Sequence, residues 1–261
     1  MEKKKSKKKT IWIIVAVVVV FLAIQGPLTA SIQSGKFATG NKPEYSVENV
    51  QALEPNALTG KTIIFLGSSV TYGSAANGSS FVEFMEKRDG IVPVKEAVSG
   101  TTLVDETVWG KKSYIERMKT IPTDIRADAF VCQLSTNDAT MKKPLGSVSD
   151  SFDINDFDTK TVAGAIEYVI AYAKQTWNCP VIFYTGTQYK SEQYAQMVDL
   201  LLQIQEKWKI GVIDLWNDPE MQAVSAEDYK LYMVNGIHPS LAGYRDWWTP
   251  KFEAYLTEAL G

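Results

Sequence analysis

The sequence is poor in the residues that build disulfide frameworks and metal centres. Its 261 residues include only two cysteines and one histidine. Two cysteines are too few for a disulfide framework or for a zinc cage. Cys132 lies within the apolar run 129–134, so we expect a buried free thiol at that position.

Basic charge is also scarce outside the first nine residues. Residues 1–9 hold six of the 27 basic residues and one of the 30 acidic residues, which leaves 21 basic against 29 acidic residues beyond them. The resulting net charge of −8 would repel nucleic acid, so we expect no nucleic-acid partner. Hydrophobic residues make up 45% of the chain, which excludes a disordered or fibrous protein and favours one folded domain.

A single long apolar run follows the lysines. Residues 11–24 carry no charge and would span about 21 Å as a helix, against about 30 Å for the hydrocarbon core of a bilayer. We expect residues 1–30 to be a cytoplasmic basic segment and signal anchor; the alternatives are a cleaved signal peptide ending at Ala30 and a buried core helix. An anchor would hold the folded domain on the extracytoplasmic side of the cell membrane, and cleavage would release it. No cysteine follows the run, which excludes a lipoprotein anchor.

The remainder of the chain divides into a short polar segment and a large domain. Residues 31–60 show no sustained hydrophobic period and are expected to be an extracytoplasmic stalk and an entry segment. In residues 61–261, short apolar runs alternate with helical patterns, which predicts an α/β fold of three α/β/α layers around a parallel sheet of about five strands. The strands are predicted at 62–67, 92–98, 129–135, 180–186 and 211–215, and the helices near 79–88, 111–119, 159–177, 190–208 and 240–259.

Polar residues follow the predicted strands, at the edge where open parallel sheets bind ligands. Ser69 follows the first strand, Gly100 the second and Asn137 the third, whereas His238 precedes the last helix. Taken singly, each is explained by a turn, a helix cap or a structural histidine. Their occurrence together, and in this order, indicates a catalytic site.

Four sequence blocks make residues 61–250 resemble the SGNH, or GDSL-like, hydrolase family. The block GSSV at 67–70 parallels the family's G-D-S-L, and Gly100 falls on the glycine of its second block. STND at 135–138 parallels G-x-N-D, and His238 falls on the histidine of D-x-x-H. The resemblance implies a flavodoxin-like sandwich and an ester hydrolase that needs no metal or organic cofactor.

The resemblance also implies a role for each matched residue. Ser69 would be the nucleophile and His238 the general base. The backbone N–H groups of Ser69 and Gly100 and the side-chain amide of Asn137 would form the oxyanion hole.

Asn235 is the main departure from the family pattern, because it stands where the family places the triad aspartate. Its amide oxygen can accept a hydrogen bond from His238, but it cannot balance an imidazolium charge. In a serine-protease triad the equivalent change costs about 10⁴ in kcat. Asn235 is therefore a catalytic candidate in a weakened triad, with a Ser69–His238 dyad as the alternative. Three carboxylates from elsewhere in the fold are candidate substitutes: Asp214, Asp218 and Asp246.

Other residues near the predicted site have less specific signals. Tyr72 and Trp109 are candidate substrate-binding residues because they lie close to the matched blocks. Asp138 either orients the oxyanion loop or caps the next segment, and we favour the second, purely structural role. Trp247 and Trp248 are expected to pack in the core.

The leading functional hypothesis is an extracytoplasmic serine esterase that hydrolyses acyl esters, such as O-acetyl groups on glycans. Its expected partners are an acyl-ester or acylated glycan substrate and the membrane, through the N-terminal hydrophobic helix. One alternative is an O-acyltransferase, in which a sugar hydroxyl intercepts the acyl-enzyme. Another, suggested by Asn235, is a degenerate homologue that binds glycan without turnover. The sequence does not indicate an oligomeric state.

Overall fold

The computed structural model describes residues 34–261, and its centre is a sheet of five parallel strands. The strand order is β2-β1-β3-β4-β5, so the chain moves to one side of β1 for β2 and to the other side for β3. The strands are β1 (Thr62–Gly67), β2 (Val92–Ala97), β3 (Ala129–Gln133), β4 (Val181–Tyr184) and β5 (Gly211–Ile213).

Helices connect the strands and cover both faces of the sheet. They are α1 (Ser69–Tyr72), α2 (Phe81–Asp89), α3 (Tyr114–Met118), α4 (Thr136–Thr140), α5 (Val162–Trp177), α6 (Glu192–Trp208), α7 (Pro219–Gln222), α8 (Ala226–Tyr232), α9 (Leu241–Gly243) and α10 (Thr249–Leu260). One π-helical turn, Tyr244–Trp248, lies between α9 and α10. Short 3₁₀ turns occupy Thr39–Asn41, Pro43–Tyr45, Val47–Asn49 and Ile154–Asp156.

The hydrophobic core has two parts because side chains of a strand alternate between the two faces of the sheet. Ile63 and Phe65 of β1 belong to the part that includes α2 and α10. Ile64 and Leu66 belong to the part that includes α3, α5 and α6. All four side chains are fully buried, as a parallel sheet covered on both faces requires. The predicted three-layer fold with five parallel strands is therefore confirmed.

The hydrophobic helix predicted in residues 1–30 lies outside the described residues. Between residues 34 and 261, no helix combines the length and the apolar character needed to cross a bilayer. Cys132 is a buried free thiol, as expected, and Cys179 is also free and buried.

The helix expected over 240–259 is present as one uninterrupted helical stretch from Leu241 to Leu260, but it contains a π turn that was not predicted. The structure divides this stretch into α9, the π turn and α10. The π turn holds two consecutive tryptophans whose rings pack in different directions, with Trp248 against Tyr184 and Phe252 and Trp247 against Tyr232. Both tryptophans lie in the core, as predicted. A π turn is a common way to insert one residue into a helix, and the hydrophobic period does not reveal it.

A second difference concerns the helix expected over 111–119, which begins only at Tyr114. The residues before it form a tight antiparallel bridge between Val108 and Lys111. Lys111 belongs to this bridge and Ser113 has an extended backbone (φ −61°, ψ 171°), so no helix can form before Tyr114. Ser113 then caps α3 by accepting a hydrogen bond from the Glu116 N–H.

The described part of the segment 31–60 lies against the domain. Three 3₁₀ turns compact residues 39–49, and the Leu58 side chain is fully buried. The Asn56 side chain and the Thr59 hydroxyl donate to Asp89 at the end of α2. Hydrogen bonds therefore fix the chain on the domain before β1 begins.

We predict that Phe81→Ala lowers the free energy of unfolding by about 3–5 kcal/mol. Phe81 is fully buried, stacks on Phe252 with ring centroids 3.8 Å apart and contacts Phe65 and Tyr184 edge-on. Urea denaturation measures the change, with Phe37→Ala as control because Phe37 is 65% exposed. Equal losses in the two variants would show that the aromatic cluster does not stabilise the fold.

Candidate active site

Ser69 lies at the carboxyl edge of the sheet, two residues after the end of β1. Because β2 and β3 flank β1 on opposite sides, the chain leaves the sheet at the switch point where ligand sites form. Ser69 is the first residue of α1, so its backbone N–H has no acceptor within that helix. The side chain is nearly buried, with 8% exposure.

His238 and Asn235 complete a hydrogen-bonded chain with Ser69. The His238 Nε2 atom lies 2.8 Å from Ser69 Oγ, and its Nδ1 atom lies 3.0 Å from Asn235 Oδ1. Asn235 Oδ1 also accepts hydrogen bonds from the backbone N–H groups of Ile237 and His238, each at 3.0 Å. Because these N–H groups can only donate, the amide oxygen and not the amide nitrogen faces the ring. His238 therefore carries its proton on Nδ1 and presents the Nε2 lone pair to Ser69.

Burial lowers the pKa of His238 to about 4. The imidazole has two uncharged partners, Ser69 and Asn235, and neither favours the charged form by a full opposite charge. The ring is therefore neutral throughout the physiological range and able to accept a proton.

Asn137 places its side-chain amide between two loops of the site. Its Nδ2 atom donates to the Thr101 carbonyl at 2.9 Å and to Ser68 Oγ at 3.2 Å. Gly100 precedes Thr101 and has φ +83°, a conformation that residues with a side chain rarely adopt. Asn137 therefore links the segment after Gly100 to the segment before Ser69.

Two residues that the sequence did not single out hold these loops in place. Gln133, at the end of β3, accepts hydrogen bonds from the Ser68 N–H at 2.9 Å and from the Thr71 hydroxyl at 2.9 Å. Arg117 donates from Nη2 to the Gly67 carbonyl at 2.8 Å and to Thr101 Oγ1 at 3.0 Å. The only sequence signal for Gln133 was a polar residue at the end of an apolar strand, and Arg117 gave none.

Asp138 is a fully buried carboxylate beside Asn137. It accepts hydrogen bonds from the N–H groups of Leu103 and Val104 at 2.8 and 3.0 Å. Burial raises its pKa to about 6, although these hydrogen bonds oppose the increase. Its bonds join α4 to the loop that follows Gly100, so Asp138 orients this loop, whereas Ser135 caps the helix.

The three carboxylates considered as triad substitutes have other partners. Asp214 accepts from Thr185 and Asn217, Asp218 caps α7 and pairs with Lys251, and Asp246 pairs with Arg245. Asn235 is the residue that contacts the second ring nitrogen of His238. Within residues 34–261, no group of three or more histidine, cysteine, aspartate or glutamate side chains is arranged to hold a metal ion.

The two candidate substrate-binding aromatics are both exposed. Trp109 is 78% exposed at the tip of its turn, and a Cβ atom added to Gly100 would lie 3.5 Å from its ring. Trp109 therefore stands beside Gly100. Tyr72 is 47% exposed at the end of α1, and its ring lies beside the Lys95 ammonium.

Comparison with known proteins shows similarity to one family and to several solved structures. A family model for GDSL-like lipases and acylhydrolases matches residues 65–245. The crystal structure of a protein from Lactobacillus plantarum matches with a TM-score of 0.64 and 19% identity, covering 77% of this chain and 98% of that one. The acetyl xylan esterase AlAXEase matches with a TM-score of 0.52 and 15% identity, over 74% and 98% of the two chains.

A family two carbohydrate esterase from Clostridium thermocellum, solved in complex with cellohexaose, matches with a TM-score of 0.54 and 14% identity, over 81% of this chain and 67% of that one. At these identities, the likeness to the solved structures shows a shared fold. A search of curated proteins finds no significant match.

Because His238 is the only histidine, its ring protons give a single NMR titration. We predict a midpoint at about pH 4, because burial disfavours the imidazolium. In Asn235→Asp, a carboxylate would face Nδ1 and favour the charged ring, so the midpoint should rise by at least one unit. The urea-unfolded chain, with an expected midpoint of about 6.5, is the internal reference. An unchanged midpoint in Asn235→Asp would contradict the assignment of Asn235 as the partner of the ring.

Proposed function

Since the chain belongs to the GDSL-like lipase/acylhydrolase family and is an ester-hydrolysing enzyme, we propose that Ser69 is its nucleophile and His238 its general base. The observation that carries this proposal is the continuous hydrogen-bonded chain from Ser69 Oγ through the His238 ring to Asn235 Oδ1. In other folds, a Ser–His–Asp chain of hydrogen bonds with the same geometry activates a serine hydroxyl for attack on an acyl carbon.

The reaction proceeds in two steps. Ser69 Oγ attacks the ester carbonyl while its proton moves to His238 Nε2, and the imidazolium then gives that proton to the leaving alcohol as the acyl-oxygen bond breaks. A water molecule then attacks the acyl-Ser69 carbonyl and gives its proton to His238. The acid leaves as Ser69 Oγ recovers the proton, which restores the neutral ring.

The negative oxygen of each tetrahedral intermediate needs donors that are fixed in advance. We assign this role to the backbone N–H groups of Ser69 and Gly100 and to the Asn137 amide. The Asn137 Nδ2 atom keeps its shorter bond to the Thr101 carbonyl, whereas the longer bond to Ser68 Oγ is the one that an oxyanion would replace. Each such donor contributes about 10²–10³ in rate.

Asn235 orients the His238 ring but carries no negative charge. In a serine-protease triad much of the cost of replacing the aspartate comes from the wrong imidazole tautomer. Here the N–H groups of Ile237 and His238 hold the Asn235 oxygen toward Nδ1, so the productive tautomer is retained. What is missing is the stabilisation of the imidazolium, which predicts an active enzyme of reduced kcat.

We further propose that the substrate is a small acyl ester on a glycan, such as an O-acetyl group. The exposed Trp109 ring beside Gly100 supports this assignment, because an aromatic face exposed near a catalytic site suits a sugar ring. The names of two structural relatives, an acetyl xylan esterase and a carbohydrate esterase, support the same class.

We expect Ser69→Ala to lower p-nitrophenyl acetate hydrolysis at least 10³-fold, because it removes the nucleophile. Ser147→Ala, at an exposed serine that is none of the proposed catalytic residues, is the matched control and should hydrolyse at the wild-type rate. In the same assay Asn235→Asp should raise kcat at least tenfold, since its carboxylate stabilises the imidazolium.

The alternatives are distinguished in the same assay. Turnover that survives in Ser69→Ala would exclude Ser69 as the nucleophile. Inactivity of both the parent and Asn235→Asp, together with binding of acetylated xylo-oligosaccharide, would indicate a glycan-binding homologue. Acetylated alcohol among the products, when an alcohol acceptor is present, would indicate acyl transfer.

We also propose that the enzyme works on the extracytoplasmic side of the cell membrane, held there by residues 11–24. The lysine-rich residues 1–9 followed by an apolar run support this orientation, because positively charged flanks stay in the cytoplasm. N-terminal sequencing of the protein extracted from membranes should begin at residue 1 or 2. A start at residue 31 would show a cleaved signal peptide, and recovery only from the cytosol would contradict the location.

A further inference from the structure

Residues 35–45, here named the strap, lie outside the segment that matches the family model. They nevertheless contact the turn that follows Ser69 and the segment that follows His238. Hydrogen bonds within two 3₁₀ turns, Thr39–Asn41 and Pro43–Tyr45, make the strap compact. It therefore has a defined shape with which it contacts the loops.

Asn41 makes the contacts that join the two loops. Its Nδ2 atom donates to the Ala75 carbonyl at 2.6 Å, in the turn that follows Ser69 and α1. Its Oδ1 atom accepts from the Leu241 N–H at 2.8 Å, three residues after His238. The Asn41 side chain therefore bridges the turn that follows Ser69 and the segment that follows His238.

The rest of the strap fits closely around this bridge. A Cβ atom at Gly35 would overlap the Ala75 carbonyl oxygen, and one at Gly40 would overlap the Leu231 carbonyl and the Ser240 side chain. Asn41 Nδ2 also donates to the Gly35 carbonyl at 2.8 Å, which fixes the orientation of its amide. Farther along, the Glu44 carbonyl accepts from Arg245 at 2.8 Å, so the strap is also anchored on the π turn.

A second hydrogen bond joins the same two segments directly, without the strap. The Tyr244 hydroxyl donates to the Val70 carbonyl at 2.7 Å, and this contact is fully buried. The nucleophile segment and the segment after the histidine are thus tied at two points, one within the domain and one through the strap.

We propose that Asn41 is a positioning residue, which keeps Ser69 Oγ and His238 Nε2 at reacting distance by tying the turn after the nucleophile to the helix after the histidine. The proposal rests on the assignment of these two residues as the catalytic pair. Asn41 touches neither the substrate nor the reacting atoms and acts only through Ala75 and Leu241.

The test compares Asn41→Ala with Asn49→Ala in the full chain. Asn49 belongs to the same N-terminal segment but donates to the Pro43 carbonyl and to Ser46, so it is a matched control. We expect Asn41→Ala to lower kcat about tenfold with KM changed less than twofold, because misplacement of a reacting pair affects the chemical step more than binding. Asn49→Ala should match the wild type in both constants.

Two further readouts separate positioning from a general loss of structure. Labelling of Ser69 by a small fluorophosphonate requires an activated serine but no recognition of an ester substrate, so its rate should fall by the same factor in Asn41→Ala. Tyr244→Phe removes the other tie, and the double variant should lose more than the product of the two single effects. The labelled fraction at completion shows how much of each variant is folded.

Each outcome decides the proposal. Wild-type kcat and labelling rate in Asn41→Ala would overturn it. A smaller labelled fraction with an unchanged rate per site would overturn it as well, since the residue would then act only on folding. If the wild type is labelled at Ser69 but hydrolyses no ester, the proposed function fails while the labelling rates still test Asn41. Absence of labelling in the wild type would overturn both.

Discussion

The polar backbone groups at the end of β1 are the constraint on which the site depends. The chain leaves a fully buried strand at Gly67 and must satisfy its N–H and carbonyl groups without water. Gln133 accepts from the Ser68 N–H, and Arg117 donates to the Gly67 carbonyl. Gln133 belongs to the neighbouring strand β3, and Arg117 belongs to the helix α3. The position of Ser69 therefore depends on how β3 and α3 pack against β1.

A few polar side chains also join the other loops of the site. Arg117 also donates to Thr101, and Asn137 donates to both Thr101 and Ser68. Hydrogen bonds from these side chains, to backbone and to other side chains, therefore join the loops that follow the first three strands. At position 235 the backbone orients an uncharged amide, and the amide in turn orients the His238 ring.

The sheet and its core could be predicted from the hydrophobic period, and the order of the sequence blocks named Ser69, His238 and Asn235, which the structure brings into hydrogen-bond contact. Four of the strands are short, mainly apolar runs, whereas the edge strand β2 carries Lys95 and Glu96. Ser69, His238 and Asn235 lie in loops or at helix starts that the fold brings together. The sequence did not predict the π turn or the hydrogen bonds by which Gln133 and Arg117 hold the loops. A π turn leaves no mark on the period, and a buried glutamine or arginine is recognised only when its partners, distant in the sequence, are seen.

Because the strap is hydrogen-bonded to the domain, the folded unit extends beyond the segment that resembles the family. A protein trimmed to begin at Phe65, where similarity to the family starts, would retain every residue that touches the substrate in the proposed mechanism. It would nevertheless lose β1's first three residues and the amide bridge between Ala75 and Leu241. The segment that resembles the family is therefore shorter than the segment that holds the loops of Ser69 and His238 together, because residues 35–45 belong to the same folded unit.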